Sequence, residues 1–210
     1  MRTKLLATMS EESSGAAPIV SGCEVNRGLN IPGVHIDNAA AGGDAMEHLY
    51  TLGHRRIGIV TGPMASALSR DRLQGAAAAA KTHDAERDLS VFNGDFTIES
   101  GQAAAEYLLG RRDPPTALFC FNDQMAIGAM NVARVRGRQV PRDLSIIGFD
   151  DTPIAAHIWP PLTTVRWPIA TMAREAARKL VSGEERADDG QSLFLSTLIR
   201  RASVTPPGGR

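Results

Sequence analysis

An excess of charge of either sign is missing from this sequence. Its 210 residues carry 23 Lys plus Arg against 23 Asp plus Glu. The chain therefore lacks the basic surplus that non-specific phosphate binding draws on, and a DNA-gripping surface is not expected within these residues. Long apolar runs are missing too: no window approaches the roughly 18 consecutive apolar residues of a membrane span. The opening "MRTKLLATMSEESSG" has an apolar run of only about four residues, against the roughly 7 to 15 of a secretory leader. The expected setting is the cytoplasm, with no membrane partner. Cysteine is scarce. Cys23 and Cys120 sit among apolar neighbours without a CxxC spacing, which fits buried, reduced thiols rather than a disulfide framework.

Several chemical signatures are also absent. No GxGxxG follows a strand, and no GxxxxGK[ST], GxSxG or HExxH occurs, so phosphate cradles, a nucleophile elbow and a zinc-protease helix are unsupported. The five histidines, at 35, 48, 54, 83 and 157, have no metal-ligand spacing; His48 and His54 are six apart, which does not place them on one helix face. No cofactor or metal is called for, and a nucleophile with an adjacent base cannot be assembled. The expectation is a protein that is not an enzyme.

What is present is alternation. The first 17 residues are rich in Ser, Glu, Gly and Ala without a period, and are expected to be a poorly ordered leader. A helix from Ala39 to Leu52, cappable by Asp37 or Asn38 and stopped by Gly53, is followed by a strand at 55–60, a helix at 70–82 and a strand at 89–93. Then come a helix at 98–109, a strand at 116–121, a helix at 123–136, strands at 144–149 and 162–167, a helix at 169–181 and a final strand at 192–201. In the last helix, Ile169, Met172, Ala173, Ala176 and Leu180 form one apolar stripe, with Arg174, Glu175, Arg178 and Lys179 facing outward. Strands alternating with helices of about 12 residues mark a parallel sheet covered on both faces, and hence an α/β fold.

In such sheets ligands bind outside the carboxyl ends of the strands, where helix N-termini point their N–H groups at the crevice. The residues following the strands are Ser66, Ser69, Arg70 and Arg72; Asp95 and Phe96; Asn122 and Asp123; Asp150 and Asp151. Singly, the Asn and Asp residues are equally well explained as caps and turn formers. Together, four strand ends supply hydrogen-bonding groups and a ring to one edge, which suits a small polyhydroxylated ligand. Arg72 stands out, because a cation in the first turn of a helix opposes the macrodipole. Its plain alternative is a surface pair with Asp71 or another carboxylate.

Six motifs now add a resemblance. "HIDNAAAGGDAMEHLYTLGHRRIGIVTGP", "RDRLQG", "GDFTIESG", "PPTALFCFNDQMAIGAM", "VPRDLSIIGFDD" and "PPLTTVRWP" come in the order seen in the effector-binding region of LacI/GalR-family transcription regulators, from about Ile31 to Arg201. Within that family the cytidine repressor branch looks similar, through "VHIDN", "RLQG" and "GDFT".

The resemblance implies a type I periplasmic-binding-protein-like fold: two Rossmann-like lobes with parallel sheets, joined by crossovers near Asp37, Arg166 and Gln191, with the effector between them. Residues 18–38 and 166–192 would belong to the N-terminal lobe, 39–165 and 193–205 to the C-terminal lobe, and 206–210 to a tail. The family's helix-turn-helix, hinge and early strand-helix units are not found, so the first lobe is expected to be incomplete, with an unpaired sheet edge. Carried over by motif, Arg72 of "RDR" grips the effector, Phe96 of "GDF" is an aromatic wall, and Asn122 of "FND" and Asp150 of "GFDD" are contacts. Ser69 joins this set. Where the family commonly has a polar residue, this chain has Trp167, which either stacks on a nucleobase or pyranose face or fills the core.

The function so implied is the sensing and dimerising part of a DNA-binding repressor. Its partners would be a small sugar or nucleoside, a second copy of itself, and operator DNA reached only through a head outside this chain. Two rivals remain at this point: a periplasmic sugar-binding transport receptor, and a small α/β enzyme acting on a sugar or nucleoside with Asp150 or Asp123 as base.

Overall fold

The computed structural model describes residues 19–23, 31–182 and 190–208; the expected leader at 1–17 lies outside them. In chain order the elements are β1 (Ser21–Gly22), β2 (Gly33–Ile36), α1 (Asn38–Thr51), β3 (Ile57–Thr61), α2 (Ala67–Thr82), β4 (Leu89–Asn93), α3 (Ile98–Leu109), β5 (Ala117–Cys120), α4 (Asp123–Val135), β6 (Ser145–Asp150), β7 (Thr163–Arg166), α5 (Ile169–Ser182), β8 (Gln191–Phe194) and β9 (Thr197–Ile199). They fall into two compact units, 1–37 with 168–195, and 38–167 with 196–210.

The first unit contains a three-stranded parallel sheet in the order β1-β2-β8, with α5 packed on β1 and β2. The apolar stripe expected on α5 is only partly buried. Met172 is covered, but Ile169 is 55% and Leu180 38% exposed. The helix instead sets Glu175 and Lys179 toward β8, where Lys179 Nζ donates to the Gly190 carbonyl at 3.0 Å and Ser192 Oγ donates to Glu175 at 3.4 Å. Those long side chains cover apolar surface with their stems while their polar ends find partners.

The second unit holds a six-stranded sheet in the order β4-β3-β5-β6-β7-β9, parallel except for β9, which runs antiparallel to β7. β3 and β5 are buried along their whole length, and β6 up to Asp150. Continuous apolar runs of this kind are what a parallel sheet covered on both faces requires. Phe119, Phe121 and Phe149 are fully buried, each worth about 1.5–3 kcal/mol relative to exposure. The run "SLFLSTLIRR" is not the single strand expected. It breaks at Leu195 and Ser196 into β8 and β9, which belong to the two different units. Periodicity cannot see this break, because the apolar pattern continues across it.

Chain order in this sheet is what makes one edge special. From β3 the chain goes outward to β4, then returns to the other side of β3 to form β5. The β3/β5 boundary is therefore the point where the winding reverses and the connections part, leaving a crevice at the carboxyl ends of the strands. Next to it, α1 and α2 approach backbone to backbone. A methyl group placed on Gly75 would stand 1.8 Å from the Ala39 carbonyl oxygen, so this position needs glycine for the close approach. That contact sets Asn38, at the start of α1, against the second turn of α2.

Candidate functional site

Arg72 is the centre of the carboxyl-edge cluster. α2 begins at Ala67, three residues earlier than the pattern implied, so Arg72 lies in its second turn rather than its first, and the dipole argument for it lapses. Nor is it a surface residue: it is 2% exposed. Its Nε donates to Asn38 Oδ1 at 2.9 Å and its Nη1 to the Phe121 carbonyl. Its guanidinium carbon lies 3.5 Å from the centroid of the Phe149 ring, close enough for a cation–π contact in a site sheltered from water.

Asp150, at the end of β6, is half-buried. Burial pushes its carboxyl up to about 7; the Arg72 guanidinium pulls the other way, the Asp123 carboxylate adds to the rise, and a hydrogen bond from Trp167 opposes it. Trp167 thus contributes more than the stacking face or core filler expected of it. Its side chain is near enough to Asp150 to oppose the rise in that carboxyl's pKa.

Phe96 follows β4 with a φ of 72°. Its ring lies across the end of β3: a Cβ on Gly62 would stand 2.0 Å from the ring's Cζ. Asn122 ties this loop to the helix beyond. Its Oδ1 accepts from the Met125 amide at 2.9 Å, capping α4, and its Nδ2 donates to the Phe96 carbonyl at 2.8 Å. The cap that sequence left as an alternative is therefore real, and the amide group is engaged with protein on both atoms. Ser69, one turn before Arg72 on the same face of α2, is fully buried, and its hydroxyl has no hydrogen-bond partner. A buried, unsatisfied hydroxyl costs about 1–3 kcal/mol.

The other acids are committed elsewhere. Asp123 is 1% exposed and accepts from Thr152 N at 2.7 Å, Thr152 Oγ1 at 2.8 Å and Thr164 Oγ1 at 2.6 Å. Burial raises its pKa while those three donors oppose the rise. Asp151 is clamped between Arg166 Nε and Arg201 Nη2, and these partners outweigh burial and hold its pKa down. Arg70 turns to the carbonyls of Met64 and Ala65. Asp95 caps its own turn by accepting from Thr97 N and Oγ1.

The edge is also strained. Among the described residues five non-glycines have positive φ, and three of them, Phe96, Asp150 and Asp151, lie at the ends of β4 and β6. Such conformations cost on the order of 1–3 kcal/mol each and gather at functional sites. Asn38 and Phe149 were missed in the sequence as members of this cluster. The signals were available: Asn38 ends the "HIDN" motif, and Phe149 immediately precedes Asp150.

Residues 46–204 match the periplasmic binding protein-like domain family. A regulatory protein of the LacI family from Chloroflexus aggregans superposes with a TM-score of 0.83 at 36% identity, over 97% of this chain and 72% of that one. The chain belongs to the LacI/GalR family. The HTH-type transcriptional repressor CytR of Escherichia coli K12 is 40% identical over 197 residues, 92% of this chain and 58% of that protein. This family member thus spans under two thirds of the length of that relative. A transcriptional regulator CelR–cellobiose complex superposes with a TM-score of 0.80 at 34% identity, over 88% of this chain and 58% of that one. These relatives are named as regulators, and the fold they share is the α/β periplasmic-binding-protein-like fold expected from the motifs. Among the described residues no helix is long and apolar enough to cross a membrane.

Proposed function

We propose that this LacI/GalR chain is the effector-sensing portion of a cytoplasmic, DNA-binding repressor, and that it holds a sugar or nucleoside at the carboxyl edge of its larger sheet. The observation that carries the reading is the buried Arg72, bonded to Asn38 and the Phe121 carbonyl and stacked over Phe149, close enough to Asp150 for its charge to act on that carboxyl, as Trp167 also does. This cluster gathers a buried cation from α2, an acid from the end of β6 and an indole from the residue after β7 at the carboxyl edge of the sheet.

The roles follow from chemistry. Asp150 accepts hydroxyls from the ligand. The anchored Arg72 guanidinium presents its planar donors to a ligand oxygen. Phe96 and Trp167 face an apolar ring. The unsatisfied Ser69 hydroxyl gains a partner on binding, while Asn122 supports the site by holding the Phe96 loop and the α4 terminus. Recognition is the reading favoured over catalysis, because the relatives are named as regulators, and of the two acids weighed as a base Asp123 is held by three donors while Ser69 has no adjacent base to activate it.

The active species in this proposal is a homodimer. Trp159 is 90% exposed and, with Ile127, Met130, Val140 and Ile158, lines a groove of about 650 Å³. Apolar side chains gathered in this way mark interaction surfaces, and a second copy of the chain is the occupant. Effector binding then selects between two arrangements of the dimer, limited by the effector's differential affinity for them, with operator DNA contacted by a helix-turn-helix head outside these residues.

Isothermal titration with cellobiose, ribose, cytidine and uridine tests the site. At least one should give saturable heat that disappears in Asp150→Asn and in Arg72→Ala. Heat from none of them, or heat indifferent to both substitutions, sinks the reading.

A further inference from the structure

The opposite edge of the same sheet carries a concentration of charge that effector binding does not use. A groove of about 950 Å³ opens beside the amino ends of β3, β5 and β6, lined by Arg55, Arg56, Arg138 and Arg142, with Asp143 the one acid in its wall. Four guanidiniums to one carboxylate is a marked local surplus in a chain whose acids and bases balance at 23 each.

The surplus is held in place by structure. Arg56 Nε donates to the Pro114 carbonyl at 3.2 Å, and Arg55 Nη1 reaches the His54 carbonyl at 3.4 Å. Arg142 pairs with Asp143, and Arg138 also lowers that carboxyl's pKa through its charge. Below them His54 is 1% exposed, with Nε2 donating to the Thr205 carbonyl and Nδ1 meeting Thr116 Oγ1, both at 2.9 Å. Burial lowers its pKa, so near pH 7 the ring is a neutral strut and the arginines supply the charge. Pro114, Pro115, Pro141 and Pro207 stiffen the walls.

We propose that this groove docks an acidic segment of a partner protein, laid in extended form across Arg55, Arg56 and Arg138. Spacing favours a polypeptide over a small anion. Arg55 and Arg56 come from the segment entering β3, while Arg138 and Arg142 come from the α4–β6 connection. β5 lies between those two strands, so the two arginine pairs belong to strands about 10 Å apart at the usual strand spacing. A single phosphate is too small to engage both pairs, whereas alternate carboxylates of an extended chain recur every 6.5–7 Å or so.

The test is fluorescence anisotropy of a dye-labelled oligoglutamate peptide with the full 210-residue chain, alongside oligolysine and unlabelled tripolyphosphate. The acidic peptide should bind, oligolysine should not, and affinity should fall steeply as salt rises through about 0.5 M. Arg55→Glu with Arg138→Glu should weaken binding roughly tenfold or more. Arg174→Glu, on α5 of the other unit, should leave it unchanged. The milder pair Arg55→Gln with Arg138→Gln, checked for an unaltered thermal midpoint, separates lost charge from lost folding. No peptide binding, binding indifferent to both double variants, or a site that takes tripolyphosphate but not the peptide would each overturn the proposal. None of these outcomes touches the effector site, which lies on the other edge.

Discussion

Arg72 lies with its guanidinium carbon 3.5 Å from the centre of the Phe149 ring, and the residue after that phenylalanine is the acid whose pKa it pulls down. In a regular strand Phe149 and Asp150 would face opposite sides of the sheet. The φ of 111° at Asp150 takes it out of that geometry. A cation, a ring and an acid thus become one unit at the end of β6, and the first prediction concerns its anchor.

Replacing Arg72 by alanine leaves Asn38 Oδ1 and the Phe121 carbonyl without this donor and removes the cation that moderates Asp150. The expected loss is about 3 kcal/mol of stability, the scale for removing one partner of a buried charged group. Arg72→Lys keeps the charge but not the planar fork, and should recover only part of it. Urea unfolding of the three proteins measures both. A lysine variant as stable as the parent would show that charge alone matters here.

Asp150 gives a pH dependence whose sign is unusual for an aspartate. Its folded pKa is raised to about 7, so between about pH 4 and pH 7 the native state holds a proton that the unfolded state has lost. Its contribution to stability is therefore full below about pH 4 and declines as pH rises toward 7. Asp150→Asn should gain on the parent across that window in urea midpoints. Ligand hydroxyls donating to the ionised carboxylate would lower its pKa, so effector binding should tighten as pH rises to about 7 and release a proton. Calorimetry in two buffers of different ionisation enthalpy reads that proton directly.

Trp167 and Trp159 are the two tryptophans in the chain, and they differ in surroundings. Trp159 is 90% exposed, whereas Trp167 is partly covered and acts on the Asp150 carboxyl. In a Trp159→Phe variant the remaining emission should shift on effector binding, and Trp167→Phe should abolish the shift. Because Trp167 acts to lower the Asp150 pKa, Trp167→Phe should also move the pH profile of binding upward. Under the proposed homodimer, Trp159→Glu should leave effector affinity intact while, in sedimentation equilibrium, the parent sediments as a dimer and the variant as a monomer.

Much of this was legible in the sequence, for identifiable reasons. β4 and α3 fall where the pattern put them because Asn93, Gly94 and the Thr97 cap punctuate them sharply. α2 starts three residues before the pattern implies because "PMASALS" offers two serines, Ser66 and Ser69, of similar capping power, and the chain uses Ser66 without a side-chain cap bond. Arg72, Phe96, Asn122 and Asp150 could be named because each comes after a strand, and Trp167 because it stands where the family motif commonly has a polar residue. Their partners could not, because Asn38 and Phe121 meet Arg72 across 34 and 49 residues, a separation that local spacing does not encode.

Asn122 separates the two meanings a strand-end amide can have. Asn122→Ala removes both the cap of α4 and the anchor of the Phe96 carbonyl, and should cost about 1–2 kcal/mol. Asn122→Asp keeps the cap acceptor for the Met125 amide and strengthens it with a negative charge at the helix N-terminus, but it cannot donate to Phe96. If Asn122 acts by support, the aspartate variant should keep the parent's unfolding midpoint to within about 0.5 kcal/mol yet lose effector affinity through a loosened Phe96 loop. Phe96→Leu should then weaken binding in the parent more than in the variant, because the ring in the variant is already unmoored. Equal effects of Phe96→Leu in both backgrounds would mean that the amide and the ring act independently, and that the 2.8 Å bond between them does not organise the site.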